Sequence, residues 1–123
     1  MKQNPVDWFE IYVANMERAK AFYEGVLGVE LSPLENAGVQ LCTFPMETNG
    51  SGAAGALVKM EGFASGANST LVYFRSENCS IEEKRVSDFG GRIQKSKQSI
   101  GEHGFISLVI DTEGNMFGLH SMK

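Results

Sequence analysis

The sequence predicts an α+β fold made of two successive βαβββ units. Three observations support this prediction. Strand-like and helix-like segments follow the same order in both halves of the 123 residues. A shift of 63 residues places Asn15 on Asn78 and Gly28 on Gly91, so that the residues expected to cap the two helices coincide. A Gly-rich connection at residues 62–69 separates the halves. We therefore expect one domain over residues 5–122, with modules at 6–61 and 69–122.

The first module begins with a predicted strand at residues 8–13, which is rich in aromatic and β-branched residues. Asn15 can cap the helix that follows, and Gly28 stands where a helix C-terminus favours a left-handed residue. Between them, apolar residues recur at helical spacing: Ala19, Phe22, Tyr23, Val26 and Leu27. Three further strands are expected at 30–32, where Pro33 ends the strand, at 39–44 and at 55–60.

The second module repeats this order with a strand at 70–74 and a helix at 80–89 that ends before Gly90 and Gly91. Strands follow at 92–95, 105–110 and 116–121. Residues 111–115, Asp-Thr-Glu-Gly-Asn, have the composition of a hairpin turn between the last two strands.

Composition narrows the classes of function. The apolar and charged fractions, 42% and 21%, are those of an ordinary globular protein. A net charge of −4 argues against a nucleic-acid partner, and no apolar run is long enough to cross a membrane. The N-terminal residues lack the apolar run of a signal peptide, and Cys42 and Cys79 show no paired spacing. By elimination, we expect a cytoplasmic protein with free thiols.

Two motifs carry a family resemblance that extends over nearly the whole chain. One is ERA-x-x-FYE-x-x-LG, from Glu17 to Gly28, and the other is D-x-EGN-x-x-GLH, from Asp111 to His120. With them, the chain resembles the vicinal-oxygen-chelate superfamily, the group of glyoxalases, bleomycin-resistance proteins and extradiol dioxygenases. The resemblance implies that paired βαβββ modules form a curled mixed sheet around a concave cavity. It also implies a homodimer.

Enzymes of that superfamily usually hold a divalent metal on the concave face of the sheet. The positions that the resemblance assigns to the metal ligands fall on Trp8, Leu71, Gly118 and Gly55. None of these residues has a side-chain donor suited to such a metal. We therefore predict no metal at that site and no cofactor.

The same comparison with the family sets which residues of each strand face the cavity, because side chains alternate along a strand. The predicted ligand-binding residues are Trp8, Glu10, Tyr12, Leu71, Tyr73, Arg75 and His120. Glu10 is the candidate catalytic base, or an anchor for an amine. Otherwise it forms an ion pair with Arg75, or it is a hydrogen-bonded structural carboxylate common to this branch of the family. Arg75 can bind an anion or lie in solvent, and His120 is either an acid or base or a plain strand residue.

These observations favour a metal-independent protein that binds a small molecule, and sequestration of a toxic or antibiotic-like ligand fits an acidic protein. The alternative is a glyoxalase-like lyase or isomerase that uses Glu10 as general base, either without a metal or with unusual ligands. A third possibility is a collapsed cavity, filled by Trp8, in a domain that only contacts other proteins. Whether the protein is an enzyme is left open by the sequence.

Overall fold

A computed structural model of the chain describes residues 4–36, 39–47 and 49–123, with the backbone alone at residues 35 and 36. The helices are α1 (Met16–Leu27) and α2 (Cys79–Val86), and short 3₁₀ turns occupy Ser87–Phe89 and Gly101–His103. The strands are β1 (Trp8–Tyr12), β2 (Ser32–Asn36), β3 (Val39–Thr43), β4 (Ala54–Lys59), β5 (Tyr73–Arg75), β6 (Arg92–Ser99), β7 (Phe105–Ile110) and β8 (Met116–Ser121).

The strands form two four-stranded mixed sheets with the same topology. The first has the order β1-β4-β3-β2 and the second has the order β5-β8-β7-β6. In each sheet, the first and last strands of the unit are parallel neighbours, and the other pairs are antiparallel. This arrangement confirms the α+β class and the repeated βαβββ order. It also makes β1 and β5 edge strands of their sheets, which matters for the site.

The helix caps are as the sequence predicts. The Asn15 side chain accepts a hydrogen bond from the backbone N–H of Arg18, and Gly28 is left-handed with φ of 68°. Asn78 caps α2 in the same way through Ser80. The second helix is shorter than predicted, since its last three residues form a 3₁₀ turn that ends at Gly90, with φ of 95°.

The two sheets and the two helices share one hydrophobic core. Helix α1 packs on β3 and β4, α2 packs on β6, β7 and β8, and the two helices contact each other. The Tyr23 ring is fully buried and lies 5.7 Å from the Phe44 ring in the first sheet and 5.3 Å from Phe117 in the second. Aromatic packing of this kind holds the two sheets in a fixed relation. No helix in the described part of the chain is long and apolar enough to span a bilayer.

Three strands differ from the sequence-based bounds by more than one residue. Strand β2 runs through Pro33, which was expected to end it, because β2 is an edge strand and needs no N–H donor on its open side. Strand β6 extends to Ser99 instead of residue 95, with two register irregularities opposite β7. Strand β5 is limited to Tyr73–Arg75, whereas residues 70–74 were predicted.

Candidate functional site

A cleft of about 980 Å³ lies beside β1 and β5 and is also lined by residues of α1 and α2 and by the first residues of β4 and β8. Six of the seven predicted ligand-binding residues line this cleft: Trp8, Glu10, Tyr12, Leu71, Tyr73 and Arg75. The Trp8 side chain is 40% exposed and that of Tyr73 is 47% exposed. The cleft is therefore open, and Trp8 does not fill it as the collapsed-cavity alternative required.

Side-chain alternation along β1 gives the strand a core side and an open side, and residues of both sides line the cleft. Ile11 and Val13 are buried in the core and Phe9 packs against it, whereas Trp8, Glu10 and Tyr12 occupy the alternate positions. Trp8, Glu10 and Tyr12 share the open side, while Phe9 and Ile11 reach the cleft from its core side. Core rings also line that side: Tyr23, Phe44, Phe74 and Phe117. The core-side and open-side residues of β1 are those that the family resemblance implied.

Glu10 is the centre of a local hydrogen-bonded cluster. Its Oε1 accepts a hydrogen bond of 2.7 Å from the Tyr12 hydroxyl, and its Oε2 accepts one of 3.2 Å from the Trp8 indole Nε1. The hydrogen bond to Glu10 raises the pKa of Tyr12 above its usual value, with burial and the negative charge adding to the effect. The two aromatic residues thus orient an exposed carboxylate toward the cleft.

Arg75 does not pair with Glu10, although an ion pair between them was one of the expected alternatives. Its Nη1 donates a hydrogen bond of 2.9 Å to the Ser51 hydroxyl, on the segment that precedes β4. In the residues that the structure describes, the salt bridges are those of Arg18 with Glu113 and of His103 with Glu102. The structural role foreseen for Glu10 as a partner of Arg75 is therefore wrong.

His120 lies beside this cleft and not in it. It pairs in register with Arg75 on the neighbouring parallel strand, and it lines a second depression of about 520 Å³ with Tyr73, Arg75, Ile100 and Ile106. Its Nε2 is 2.7 Å from the carbonyl oxygen of His103. Strand β8 lines the cleft with its first residues, Met116 and Phe117, whereas His120 lies near the other end of the strand.

The two cysteines are free and buried. Burial raises the pKa of the Cys42 thiol above its usual value, an effect opposed by Lys20 and assisted by Glu24. Cys79 is wholly buried at the start of α2. Both have the surroundings of packed structural thiols.

The register of the strands corrects one of the four positions assigned to metal ligands. Gly118 pairs with Tyr73 on the open face, but Gly55 pairs with Phe9 on the core face. The residue beside Glu10 on the open face is Ala56. A shift of 62 residues, not 63, therefore relates the last strands of the two sheets, as Ala56 and Gly118 show.

With this correction, the residues still do not fit a metal. Trp8, Leu71, Ala56 and Gly118 offer no suitable donor, and the Tyr73 ring lies across the backbone of Gly118, where a Cβ would overlap it. Over residues 4–36, 39–47 and 49–123, no three of His, Cys, Asp and Glu are grouped closely enough to hold a metal ion.

Phe63 is a cleft-rim residue that sequence reasoning missed. Its ring stacks on that of Tyr12 at 5.1 Å with an interplanar angle of 20°, and it remains 54% exposed. The same connecting segment is fixed further along by a hydrogen bond from the Gly66 N–H to the Asn115 side chain. The feature of the sequence that could have indicated this contact is the presence of an aromatic residue in a Gly- and Ser-rich stretch.

A buried carboxylate in the last hairpin was also missed. Glu113 Oε1 accepts hydrogen bonds from the backbone N–H groups of Ala14 and Asn15, and the Arg18 guanidinium donates to both carboxylate oxygens. Burial alone would raise the pKa of Glu113, but these bonds, with one from the Thr112 hydroxyl, outweigh it and lower the pKa to about 2. The hairpin therefore joins the second module to the start of α1.

Asp111 also connects the hairpin at 111–115 to α1, and we call this set of contacts the joint between the modules. It accepts a hydrogen bond of 2.5 Å from the buried Tyr23 hydroxyl, and Asn115 donates from its backbone and its side chain. Burial raises the pKa of Asp111, although the hydrogen bonds from Tyr23, Asn115 and Glu113 partly offset that effect. Burial, followed by the adjacent Asp111 charge, places the pKa of Tyr23 well above its usual value.

Comparison with known proteins places this geometry in context. The model of the glyoxalase/bleomycin resistance protein/dioxygenase superfamily matches residues 6–119. No curated protein sequence gives a significant match. Among solved structures, a glyoxalase I variant from Zea mays is 18% identical with a TM-score of 0.75, over 95% of this chain and 46% of that protein. This chain thus spans about half the length of that relative.

Two proteins from Streptomyces sp. CB03234 match over nearly their full lengths. TnmS3, an antibiotic binding protein, is 22% identical with a TM-score of 0.70, over 100% of this chain and 99% of its own. A glyoxalase/bleomycin resistance protein is 20% identical with a TM-score of 0.72, over 94% and 98% of the two chains. At such identities the likeness shows a shared fold.

Proposed function

The chain belongs to the glyoxalase/bleomycin resistance protein/dioxygenase superfamily, and we propose that it binds an organic small molecule in its cleft without a metal. The observation that carries this proposal is the open cleft of about 980 Å³, whose walls hold aromatic rings and the Glu10 carboxylate. The positions at which the superfamily usually places metal ligands carry no suitable donor in this chain. Aromatic walls with a few fixed polar groups are typical of small-molecule sites.

Sequestration of a toxic or antibiotic-like compound is the role that we propose for this binding. The fold shared with TnmS3, an antibiotic binding protein, supports that role. The exposed rings of Trp8 and Tyr73 offer surfaces on which a flat molecule can stack. A homodimer and a cytoplasmic location belong to the same proposal, the first supported by the family and the second by two free, buried cysteines.

Trp8 provides the test, because it is the single tryptophan of the chain and it lines the cleft. We expect flat antibiotic-like compounds, titrated into EDTA-treated protein, to include some that quench Trp8 fluorescence saturably and raise the Tm. Leu71→Arg, which puts a long charged side chain on the cleft wall, should abolish both effects. Leu34→Arg is the matched control, since Leu34 is 53% exposed on β2 and does not line the cleft.

Binding that survives in Leu71→Arg, or that requires an added metal, would contradict the proposal. Consumption of a bound compound that stops in Glu10→Gln would assign the protein instead to the glyoxalase-like lyase or isomerase alternative. A compound that binds but is not consumed, with or without the Glu10 carboxylate, supports a binding protein.

A further inference from the structure

Three charged residues line the cleft: Glu10, Arg75 and Glu82. Glu82 is half-buried and accepts a hydrogen bond from the Ser76 hydroxyl, whereas Glu10 and Arg75 are exposed and have separate neutral partners. Each oxygen of Glu10 accepts a hydrogen bond from a neutral aromatic donor, Trp8 or Tyr12. The Arg75 guanidinium is fixed from the other side by the Ser51 hydroxyl. Opposite charges that share a cleft would be drawn together if their side chains were free. These neutral contacts instead keep a negative end on β1 and a positive end on β5.

The positive end consists of Arg75, with the His120 ring as its neighbour on the adjacent strand. His120 is the register partner of Arg75, and both line the second depression, which continues from the cleft past Tyr73. The contact of His120 Nε2 with the carbonyl oxygen of His103 makes Nε2 the hydrogen-bond donor and fixes the ring. An anionic group at Arg75 would therefore meet a planar guanidinium that can donate two hydrogen bonds. The neutral His120 ring, whose Nε2–H is already bonded to His103, has only an acceptor left at Nδ1 and adds no donor for the anion.

Aromatic residues flank the exposed carboxylate at the negative end. The Trp8 ring stands beside the Glu10 carboxylate, and Tyr12 is held on one side by Phe63 stacked at 5.1 Å. A cation at Glu10 would gain both an ion pair and contact with ring faces. The net charge of −4 favours its approach.

We propose that the ligand is amphoteric: a flat aromatic molecule with a protonated amine or guanidinium group for Glu10 and a carboxylate or similar anion for Arg75. The body of the molecule stacks between, against Trp8 and Tyr73. This inference rests on the proposed function and adds to it the charge pattern of the ligand. Both charges contribute, so neither a purely cationic nor a purely anionic compound satisfies the site.

The test uses four compounds that share one naphthalene ring: 6-aminomethyl-2-naphthoate, 2-naphthylmethylamine, 2-naphthoate and 2-naphthylmethanol. Calorimetry at low salt should show that the amphoteric compound binds at least about 10-fold more tightly than the neutral alcohol. Glu10→Gln should weaken only the two amine-bearing compounds, and Arg75→Gln only the two carboxylates. Both substituted residues are exposed, and unchanged circular dichroism and Tm would show that the variants fold.

Equal affinity for all four compounds, or loss of all four in either variant, would overturn the inference while leaving a binding function in place. Dependence on Glu10 alone would overturn it in favour of a cationic ligand. Failure of all four compounds to bind would also overturn the inference about the charges of the ligand. The Trp8 fluorescence screen would then test the proposed binding function separately. A preference for the amphoteric compound that weakens with added NaCl would support the inference.

Discussion

Glu113 joins the final hairpin to the start of α1 through a carboxylate whose side chain has no exposed surface. It satisfies two backbone N–H groups that precede α1, at Ala14 and Asn15, and it receives the Arg18 guanidinium. Because a buried donor left without a partner is costly, the charge and the hydrogen bonds of Glu113 act together. Glu113 therefore has a structural role, connecting the two modules, and it does not line the cleft.

We predict that Glu113→Gln lowers the free energy of unfolding at neutral pH and that this loss shrinks in acid. The folded pKa of about 2 lies below the usual 4.5, so the stabilisation is complete above pH 4.5 and is lost as the pH falls toward 2. The shift corresponds to roughly 3 kcal/mol. Urea unfolding at a series of pH values between 7 and about 2 measures the difference between the two proteins.

The raised pKa of Asp111 acts in the opposite sense in both proteins. Because Asp111 accepts a hydrogen bond from the Glu113 backbone, the two sites are coupled, and the difference between the proteins reports the Glu113 charge together with that coupling. Glu102→Gln is the matched control, because the Glu102 side chain is 89% exposed. That variant should match the wild type at every pH. A Glu113→Gln deficit that stays constant between pH 4.5 and 2 would show that the charge of Glu113 is not what stabilises the joint.

Single residues were predictable from the sequence where a local rule applies. The alternation of β1 separates Glu10 from its neighbours Phe9 and Ile11, and that follows from strand geometry once the facing is known. The hydrogen bonds of Glu113 and the stacking of Phe63 on Tyr12 join residues far apart in the chain. No spacing rule reports such contacts, so the sequence suggested only a turn and a linker.

At the level of elements, each sheet has an aromatic ring laid across a glycine of the adjacent parallel strand. Phe9 of β1 covers Gly55 of β4, and Tyr73 of β5 covers Gly118 of β8. The two arrangements differ in their surroundings. Phe9 packs against Phe44 and Phe74 in the core, whereas the Tyr73 ring is 47% exposed on the open face.

We predict that Gly55→Ala costs about 1–3 kcal/mol of unfolding free energy and that Gly118→Ala costs less than about 1 kcal/mol. The added methyl group at Gly55 meets a ring that its neighbours hold in place, while Tyr73 can rotate into solvent. Urea unfolding of the two variants provides the comparison, each acting as the other's control. A larger loss for Gly118→Ala would mean that the Tyr73 ring is held more firmly than its exposure indicates.

Helix ends were predictable, and strand lengths and registers were not. Each capping residue acts through backbone groups within four residues of it, as Asn15, Gly28 and Asn78 do, so the local sequence is enough to predict its effect. The extension of β6 and the facing of Gly55 depend on pairing with other strands. A difference of one residue in the length of the two repeats moved Gly55 to the opposite face, which is the usual result of a register slip.

For the whole molecule, the two sheets and the joint between them create the cleft. The core rings of Tyr23, Phe74 and Phe117 fix the sheets to each other, and the hairpin at 111–115 fastens the second module to α1. The free edges of β1 and β5 are left to line an open space. The paired modules were foreseen from the repeat, but the size of the cleft depends on packing that no local pattern describes.

The central claim is that this cleft serves an organic ligand without a metal, and metal stoichiometry tests it most directly. Purified protein would be exposed to excess Zn, Ni, Mn and Fe(II), desalted, and analysed by elemental mass spectrometry. The absence of suitable donors at Trp8, Ala56, Leu71 and Gly118 predicts a metal content near zero per chain. One tightly held metal per chain or per pair of chains, lost in Glu10→Gln or His120→Ala, would contradict the account.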